Sequence, residues 1–188
     1  MDKQTEEILQ KIEEAEYVLV GLGQEFDMEF FLQSREDYRR IREQLQQQNV
    51  LWLLPYVEEQ FRRQYLPEME AEIEKGLQKL AKVLEKKSYF VVSSSLNHKL
   101  AEVPWKKMLL KKERFVAPCG DWTKKQCPDG CEEGIQTVTE ADEEQLQESF
   151  KKLQTNGFSV PDLGKCPKCG KKLVLNNVYA CLLYTSDA

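Results

Sequence analysis

Cys127-Pro128-Asp129-Gly130-Cys131 and, further along the chain, Cys166-Pro167-Lys168-Cys169-Gly170 are the two stretches that decide the fold. In each stretch proline and glycine bend the chain, so that two thiols can point at one centre. Two such pairs can present four thiolates to a tetrahedral zinc ion, with each sulfur about 2.3 Å from the metal. Four unrelated buried thiols or a disulfide are the alternatives. We predict a Zn²⁺ site made of Cys127, Cys131, Cys166 and Cys169, which would be structural because four sulfurs leave no open coordination position.

Length, charge and the N-terminal sequence narrow the class of protein. The chain has 188 residues and a formal net charge of −5, which suits one acidic domain, with or without a small insert, that buries a core. The first four residues are polar, so no signal peptide is indicated, and the apolar run 50–57 is too short to span a bilayer. We therefore expect a cytoplasmic protein without a membrane partner, in a reducing compartment that favours metal over disulfides.

The charges are unevenly distributed along the second half of the chain. Residues 99–125 contain eight basic and three acidic side chains, whereas residues 129–148 contain eight acidic and no basic ones. Solvated surfaces account for both runs. The basic run leaves open a zinc-ribbon protein that binds nucleic acid, but the acidic run that follows argues against it, so nucleic acid is not an expected partner.

Two short apolar runs and a third strand candidate predict a parallel sheet. The runs occupy residues 17–20 and 89–92, the candidate occupies residues 114–117, and each is followed by turn-forming or small residues. Continuous apolar runs are typical of parallel strands, and the helical segment between the first two would form a right-handed crossover. The predicted fold class is therefore α/β, with a Rossmann-like parallel sheet and a small four-cysteine zinc-binding lobe.

Polar or small residues follow each predicted strand, where a parallel sheet has its ligand crevice. Gly21-Leu22-Gly23 follows the first strand and precedes a helical pattern over residues 26–48. A strand, a Gly-x-Gly turn and a helix can hold a dinucleotide pyrophosphate, but the third glycine is replaced by Phe26 and the charge of Glu25 opposes phosphate. An ordinary strand–helix turn is the alternative.

The second and third strands end in Ser93-Ser94-Ser95-Leu96-Asn97 and in Pro118-Cys119-Gly120. Hydroxyl and amide groups at these positions would face the crevice, although a plain polar loop is equally consistent with the serines. Cys119 is either a small buried apolar residue or a thiol that faces the crevice. The only histidine, His98, receives no predicted role.

The order of these segments resembles the sirtuin family over residues 5–180. In sirtuins the first turn is Gly-Ala-Gly-x-Ser, the second strand ends in Thr-Gln-Asn-Ile-Asp, the third ends in a catalytic His-Gly, and a four-cysteine zinc lobe follows. The resemblance implies NAD and Zn²⁺ as cofactors and an acyl-lysine protein or peptide as partner. It implies NAD-binding roles for Gly21, Gly23, Ser93, Ser95 and Asn97, and it puts Cys119 at the position of the catalytic histidine.

Four departures from the family pattern lie in this one crevice. Cys119 accepts a proton only as a thiolate, Glu25 opposes phosphate, Ser95 replaces an amide, and Asn97 lacks the charge of an aspartate. The resemblance implies an NAD-dependent protein-lysine deacylase or ADP-ribosyl transferase. The departures favour an alternative: a catalytically deficient NAD or ADP-ribose sensor, or a zinc-stabilised interaction module.

The predicted organisation has four parts. Residues 1–120 form the first part of the NAD-binding Rossmann-like domain, residues 121–172 form the zinc-binding lobe (the four-cysteine lobe below), and residues 173–180 form a strand that returns to the parallel sheet. Residues 181–188, which include the sixth cysteine, resemble the translation of a transposase sequencing adapter. We expect this tail to be an adapter-derived scar and the natural gene to continue past Ala180.

Overall fold

The computed structural model describes residues 3–97, 100 and 112–177. The predicted adapter-derived tail, residues 178–180 of the predicted last strand, and His98 lie outside the described residues. All residues assigned to the zinc site and to the crevice lie inside them.

A three-stranded parallel sheet confirms the predicted α/β class. Its strands are β1 (Tyr17–Leu22), β2 (Ser88–Ser93) and β3 (Phe115–Val116), and they lie side by side in the order β1-β2-β3. Leu19 is opposite Phe90 in the first pair, and Val91 is opposite Phe115 in the second. Because all three strands run in one direction, their carboxyl ends meet at one edge of the sheet.

Six α-helices accompany the strands in the described part of the chain. They are α1 (Lys3–Glu14), α2 (Glu29–Gln33), α3 (Glu36–Gln47), α4 (Leu54–Tyr65), α5 (Pro67–Leu84) and α6 (Glu140–Gln154). The single helical pattern predicted over residues 26–48 is wrong in detail. A one-turn 3-10 helix (Gln24–Asp27) comes first, and Met28, which has a left-handed backbone with φ of 55°, separates it from α2.

Helix α5 covers one face of the parallel sheet. Leu77, Ala81 and Leu84 of this helix pack against Tyr89 and Val91 of β2, and all five are buried. Burial of a leucine side chain contributes about 1.5–3 kcal/mol, so this contact is a main source of stability for the sheet.

The opposite face of the sheet exposes apolar side chains. Tyr17 and Leu19 of β1 are 73% and 75% exposed, and Phe90 of β2 is 41% exposed. Within the described residues, no element buries these side chains. Parallel sheets are ordinarily covered on both faces, so the described part of the chain leaves this face without its usual cover.

A second, antiparallel sheet belongs to the four-cysteine lobe. It consists of β4 (Gly120–Gln126), β5 (Gln136–Thr137) and β6 (Val174–Asn177), in the order β5-β4-β6. The prediction that residues 173–180 return to the parallel sheet is therefore wrong for Val174–Asn177, which pairs with β4. Pairing with β4 places Leu175, which is fully buried, in the core that the helices provide.

The main hydrophobic core joins the four-cysteine lobe to the helices. The rings of Tyr56 in α4 and Trp122 in β4 pack edge to face at 5.4 Å, as do those of Phe61 in α4 and Phe150 in α6 at 5.9 Å. The predicted boundary near residue 120 therefore falls at the start of the second sheet, but a shared core continues across it.

Among the described residues, no helix is long and apolar enough to cross a membrane.

Candidate metal centre and strand-end crevice

The four predicted zinc ligands lie together. The sulfur atoms of Cys127, Cys131, Cys166 and Cys169 are all within 4.8 Å of one another, and those of Cys127 and Cys169 are 3.4 Å apart. Four sulfurs at about 2.3 Å from a tetrahedral metal would be about 3.8 Å apart, so the cluster has the dimensions of a four-thiolate zinc site. It could hold a metal ion such as zinc.

Glycines give both cysteine turns their shape. The N–H of Gly130 donates to the carbonyl of Cys127 at 3.0 Å, and that of Gly170 donates to the carbonyl of Cys166 at 2.8 Å. Both glycines have positive φ, 72° and 74°, which other residues rarely adopt. These tight turns bring the second cysteine of each pair back towards the first.

The surroundings of the cluster favour a thiolate at Cys127, whereas burial and the neighbouring thiols raise the pKa of Cys131 to about 12. Burial opposes ionisation of Cys127, but the backbone N–H groups of Asp129 and Cys131 donate to its sulfur, and its pKa falls to about 7. Cys127 and Cys166 are each 2% exposed and belong to the main core. A metal at this position would therefore connect the four-cysteine lobe directly to the main hydrophobic core.

Residues from the ends of β2 and β3 line one small cavity. Ser93, Ser95 and Asn97 contribute to it from the loop after β2, and Gly120 and Asp121 contribute from the segment after β3. The cavity measures about 10 Å³, roughly the space of one water molecule. The ends of β2 and β3 therefore share one small cavity, and Cys119 is not among the described residues that line it.

Asp27, which the sequence analysis did not select, holds the loop after β2 in place. Its Oδ1 accepts hydrogen bonds from the Ser95 hydroxyl, from the N–H of Leu96 at 2.8 Å and from the N–H of Asn97 at 3.0 Å. The Asn97 side chain donates in turn to the carbonyl of Phe26 at 2.9 Å. Burial raises the pKa of Asp27, and the hydrogen bond from Ser95 partly offsets this.

The first predicted glycine turn lies beside this loop, but it differs from a phosphate-binding turn. Gly21 lies within β1, and Gly23 has an extended backbone with φ of −92°, so neither uses the freedom of glycine. The Glu25 side chain folds over Gly23, where a Cβ atom would lie only 2.8 Å from the Glu25 carboxyl carbon. The loops nevertheless touch, because the Ser94 N–H donates to the carbonyl of Leu22 at 2.9 Å.

Cys119, which the family resemblance would place at a catalytic histidine position, precedes a glycine that the fold requires. Cys119 is a half-buried free thiol. Gly120 has φ of 99°, and a Cβ atom there would lie 2.5 Å from the Cα of Asn177 in β6. The turn is therefore held between the parallel sheet and the four-cysteine lobe.

Two charged residues of α4 are buried, and one of them contacts Asp27, which holds the crevice loop. Arg62 is 1% exposed, and it donates to the Asp27 carbonyl at 3.2 Å while its Nε lies 3.0 Å from Glu70 of α5. Glu58, which is 3% exposed, accepts a hydrogen bond of 2.7 Å from the Tyr38 hydroxyl. Burial raises the pKa of Glu58 to about 7.

Replacement of Glu58 with glutamine is expected to stabilise the protein above pH 7. The pKa of Glu58 is about 7 in the folded state, against 4.5 for an ordinary glutamate. The stability that the bound proton contributes is therefore complete below pH 4.5 and is lost as pH rises to 7 and above. Relative to the original protein, the variant is expected to gain at most about 3 kcal/mol in the free energy of unfolding as pH rises through this range. Urea unfolding of both proteins at pH 5 and pH 8 measures it. Glutamine keeps an acceptor for Tyr38, so an equal pH dependence in both proteins would contradict this assignment.

Sequence patterns offered little indication of these residues. Asp27 lies in a segment whose apolar spacing indicated a helix, and nothing in its neighbours marks a carboxylate that accepts three hydrogen bonds. Glu58 and Arg62 have the spacing of an ordinary exposed ion pair on a helix. Arg62 contacts Asp27 and Glu70, and Glu58 contacts Tyr38 of α3, and these partners lie elsewhere in the sequence.

Comparison with known proteins adds no family assignment: no protein-family model matches the chain, and no curated protein matches it.

Proposed function

We propose that this chain is a sirtuin-like, NAD-binding zinc protein in which lysine deacylation is weakened or lost. The observation that carries the proposal is the contact between strand-end segments of the parallel sheet, in a chain that also has a four-cysteine cluster. The Gly21–Gly23 turn contacts the Ser93–Asn97 loop, and this loop and Gly120 line one cavity. A Rossmann-like arrangement would bind a dinucleotide at this edge of the sheet.

Zinc has a structural role in this proposal. Cys127, Cys131, Cys166 and Cys169 would hold the ion, which would cross-link the two cysteine turns. Because all four ligands are cysteines, the site provides no position for a substrate, and the reaction would take place in the crevice.

The crevice suits a dinucleotide only after one side chain moves. Glu25 lies over Gly23, and its negative charge would repel a pyrophosphate at that turn. The helix that follows is a single 3-10 turn, so it adds little positive dipole. As arranged, the turn does not fit a phosphate, and we expect weak binding that requires Glu25, an exposed residue, to rotate away.

The polar groups after β2 are already engaged within the protein. Asp27 accepts bonds from Ser95 and Asn97, so these residues are positioned firmly but have few groups left for a substrate. Cys119 presents a thiol where the family pattern has an imidazole, so the described part of the crevice does not supply the general base that the resemblance implies. Both features favour an NAD or ADP-ribose sensor over an efficient enzyme.

Replacement of Glu25 with serine is expected to strengthen NAD binding by roughly tenfold, since removal of one charge close to a phosphate is worth about 1–2 kcal/mol in a partly solvated site. Isothermal titration of NAD and of ADP-ribose into the zinc-loaded protein measures the change. Glu29→Ser, which removes a neighbouring carboxylate outside the turn, is the matched control. If neither ligand binds the original protein or the Glu25→Ser variant, the proposal is lost.

The alternative is a working deacylase or ADP-ribosyl transferase, which the family resemblance favours. Release of nicotinamide from NAD in the presence of an acyl-lysine peptide distinguishes it from a sensor. The Cys119→His variant helps to distinguish an enzyme from a sensor, because it supplies the histidine that the family resemblance implies as general base. Turnover by the original protein would support the enzyme, and turnover only by the variant would identify Cys119 as the cause of the deficiency.

A further inference from the structure

A solvent-open apolar groove of about 480 Å³ lies between α5 and the segment that follows β1. Its apolar walls come from Phe26, Met28 and Phe31 on one side and from Met69 and Ile73 of α5 on the other. Met28 is buried, whereas Phe31 is 47% exposed. Aromatic and thioether side chains provide an adaptable surface for another apolar group.

The rim of the groove is acidic. Glu25, Glu68 and Glu72 line it, and none of the described residues that line it is basic. Glu72 pairs with Lys75 at 2.6 Å, but in the described part of the chain neither Glu25 nor Glu68 has an ion-pair partner. Lone carboxylates around an apolar floor attract a positively charged ligand and disfavour an acidic one.

We propose that this groove docks a basic polypeptide segment that inserts one large apolar side chain between flanking lysines or arginines. The apolar floor would bury the anchor, and Glu25 and Glu68 would pair with the flanking cations. A segment docked there lies next to the crevice, because the carbonyl of Phe26 accepts the hydrogen bond from Asn97. This proposal depends neither on bound NAD nor on catalysis.

The test uses two fluorescein-labelled peptides, and each contains one tryptophan. In one peptide two lysines flank the tryptophan on each side, and in the other peptide two glutamates do so. Fluorescence anisotropy with the zinc-loaded chain is expected to detect only the lysine peptide, with affinity that falls as salt rises. Glu68→Lys should weaken binding roughly tenfold, because a rim attraction becomes a repulsion. Glu140→Lys, a change in the first turn of α6, is the matched control and should have no effect.

The apolar part of the groove is tested with a second pair of variants. Phe31→Ala removes a wall of the groove, whereas Phe30→Ala removes its 79% exposed neighbour, which does not line it. Weakening by Phe31→Ala alone is expected. The proposal would be overturned by equal binding of both peptides or by equal effects within either pair of variants. It would also be overturned if neither peptide bound because another part of the chain fills the groove. A concentration-dependent dimer of the original protein that Glu68→Lys dissociates would overturn it too, since the occupant would then be a second copy.

Discussion

Replacement of Cys166 with serine is expected to abolish stoichiometric zinc binding and to lower the free energy of unfolding by about 3 kcal/mol or more. Cys166 is buried in the main core, and its sulfur would be one of four ligands that clamp the lobe. Loss of the ion would free both cysteine turns and expose core residues that pack around them. For a chain of this size the expected fall in Tm is roughly 6–12 °C. Elemental analysis and thermal unfolding measure the two effects.

Cys119→Ser is the matched control for that experiment. Cys119 is a free thiol outside the cluster, and it lies before the second sheet and not in either cysteine turn. Its replacement should leave one zinc ion per chain and change Tm little. An original protein purified without zinc, or equal losses of stability in the two variants, would contradict a structural metal at the four cysteines.

Replacement of Asp27 with alanine is expected to destabilise the protein by about 2–4 kcal/mol and to weaken any ligand binding in the crevice. Without the Asp27 carboxylate, the N–H of Leu96 and the hydroxyl of Ser95 lose their acceptor, whereas the N–H of Asn97 retains the Ser95 hydroxyl oxygen at 3.0 Å. Each buried donor without a partner costs about 1–3 kcal/mol. Urea unfolding measures the loss of stability, and titration with NAD measures the loss of binding.

Asp27→Asn separates the hydrogen bonds from the charge. Asparagine retains a carbonyl oxygen that accepts from both N–H groups, so this variant should lose less than half as much stability as Asp27→Ala. Equal losses in the two variants would mean that the negative charge matters and the acceptor does not. No loss in Asp27→Ala would mean that the loop after β2 holds its shape without this side chain.

Local chemistry accounts for the parts of the fold that sequence patterns predicted. The spacing of the cysteine pairs was sufficient because proline and glycine shape each turn within a few residues. The apolar runs of β1 and β2 indicated parallel strands because both strands are consecutive apolar residues bounded by polar ones. The start of α5 at Pro67 follows from the fixed backbone of proline, which suits the first turn of a helix.

Contacts between distant segments decided what the sequence patterns could not show. The last described strand, Val174–Asn177, pairs with β4 because that position buries Leu175 in a core built by helices more than a hundred residues earlier. The side chain of Glu25 lies over the turn that glycine spacing assigned to phosphate.

The cysteine spacing and the apolar runs, by themselves, predicted the four-cysteine cluster and the parallel sheet of this protein. The tertiary structure alone decided which charges are buried, which carboxylate holds the crevice loop and where the last strand pairs. The physical reason is that turns and strands follow from neighbouring residues, whereas the burial and hydrogen bonding of Asp27, Glu58 and Arg62 depend on helices and loops that approach them only in the folded chain.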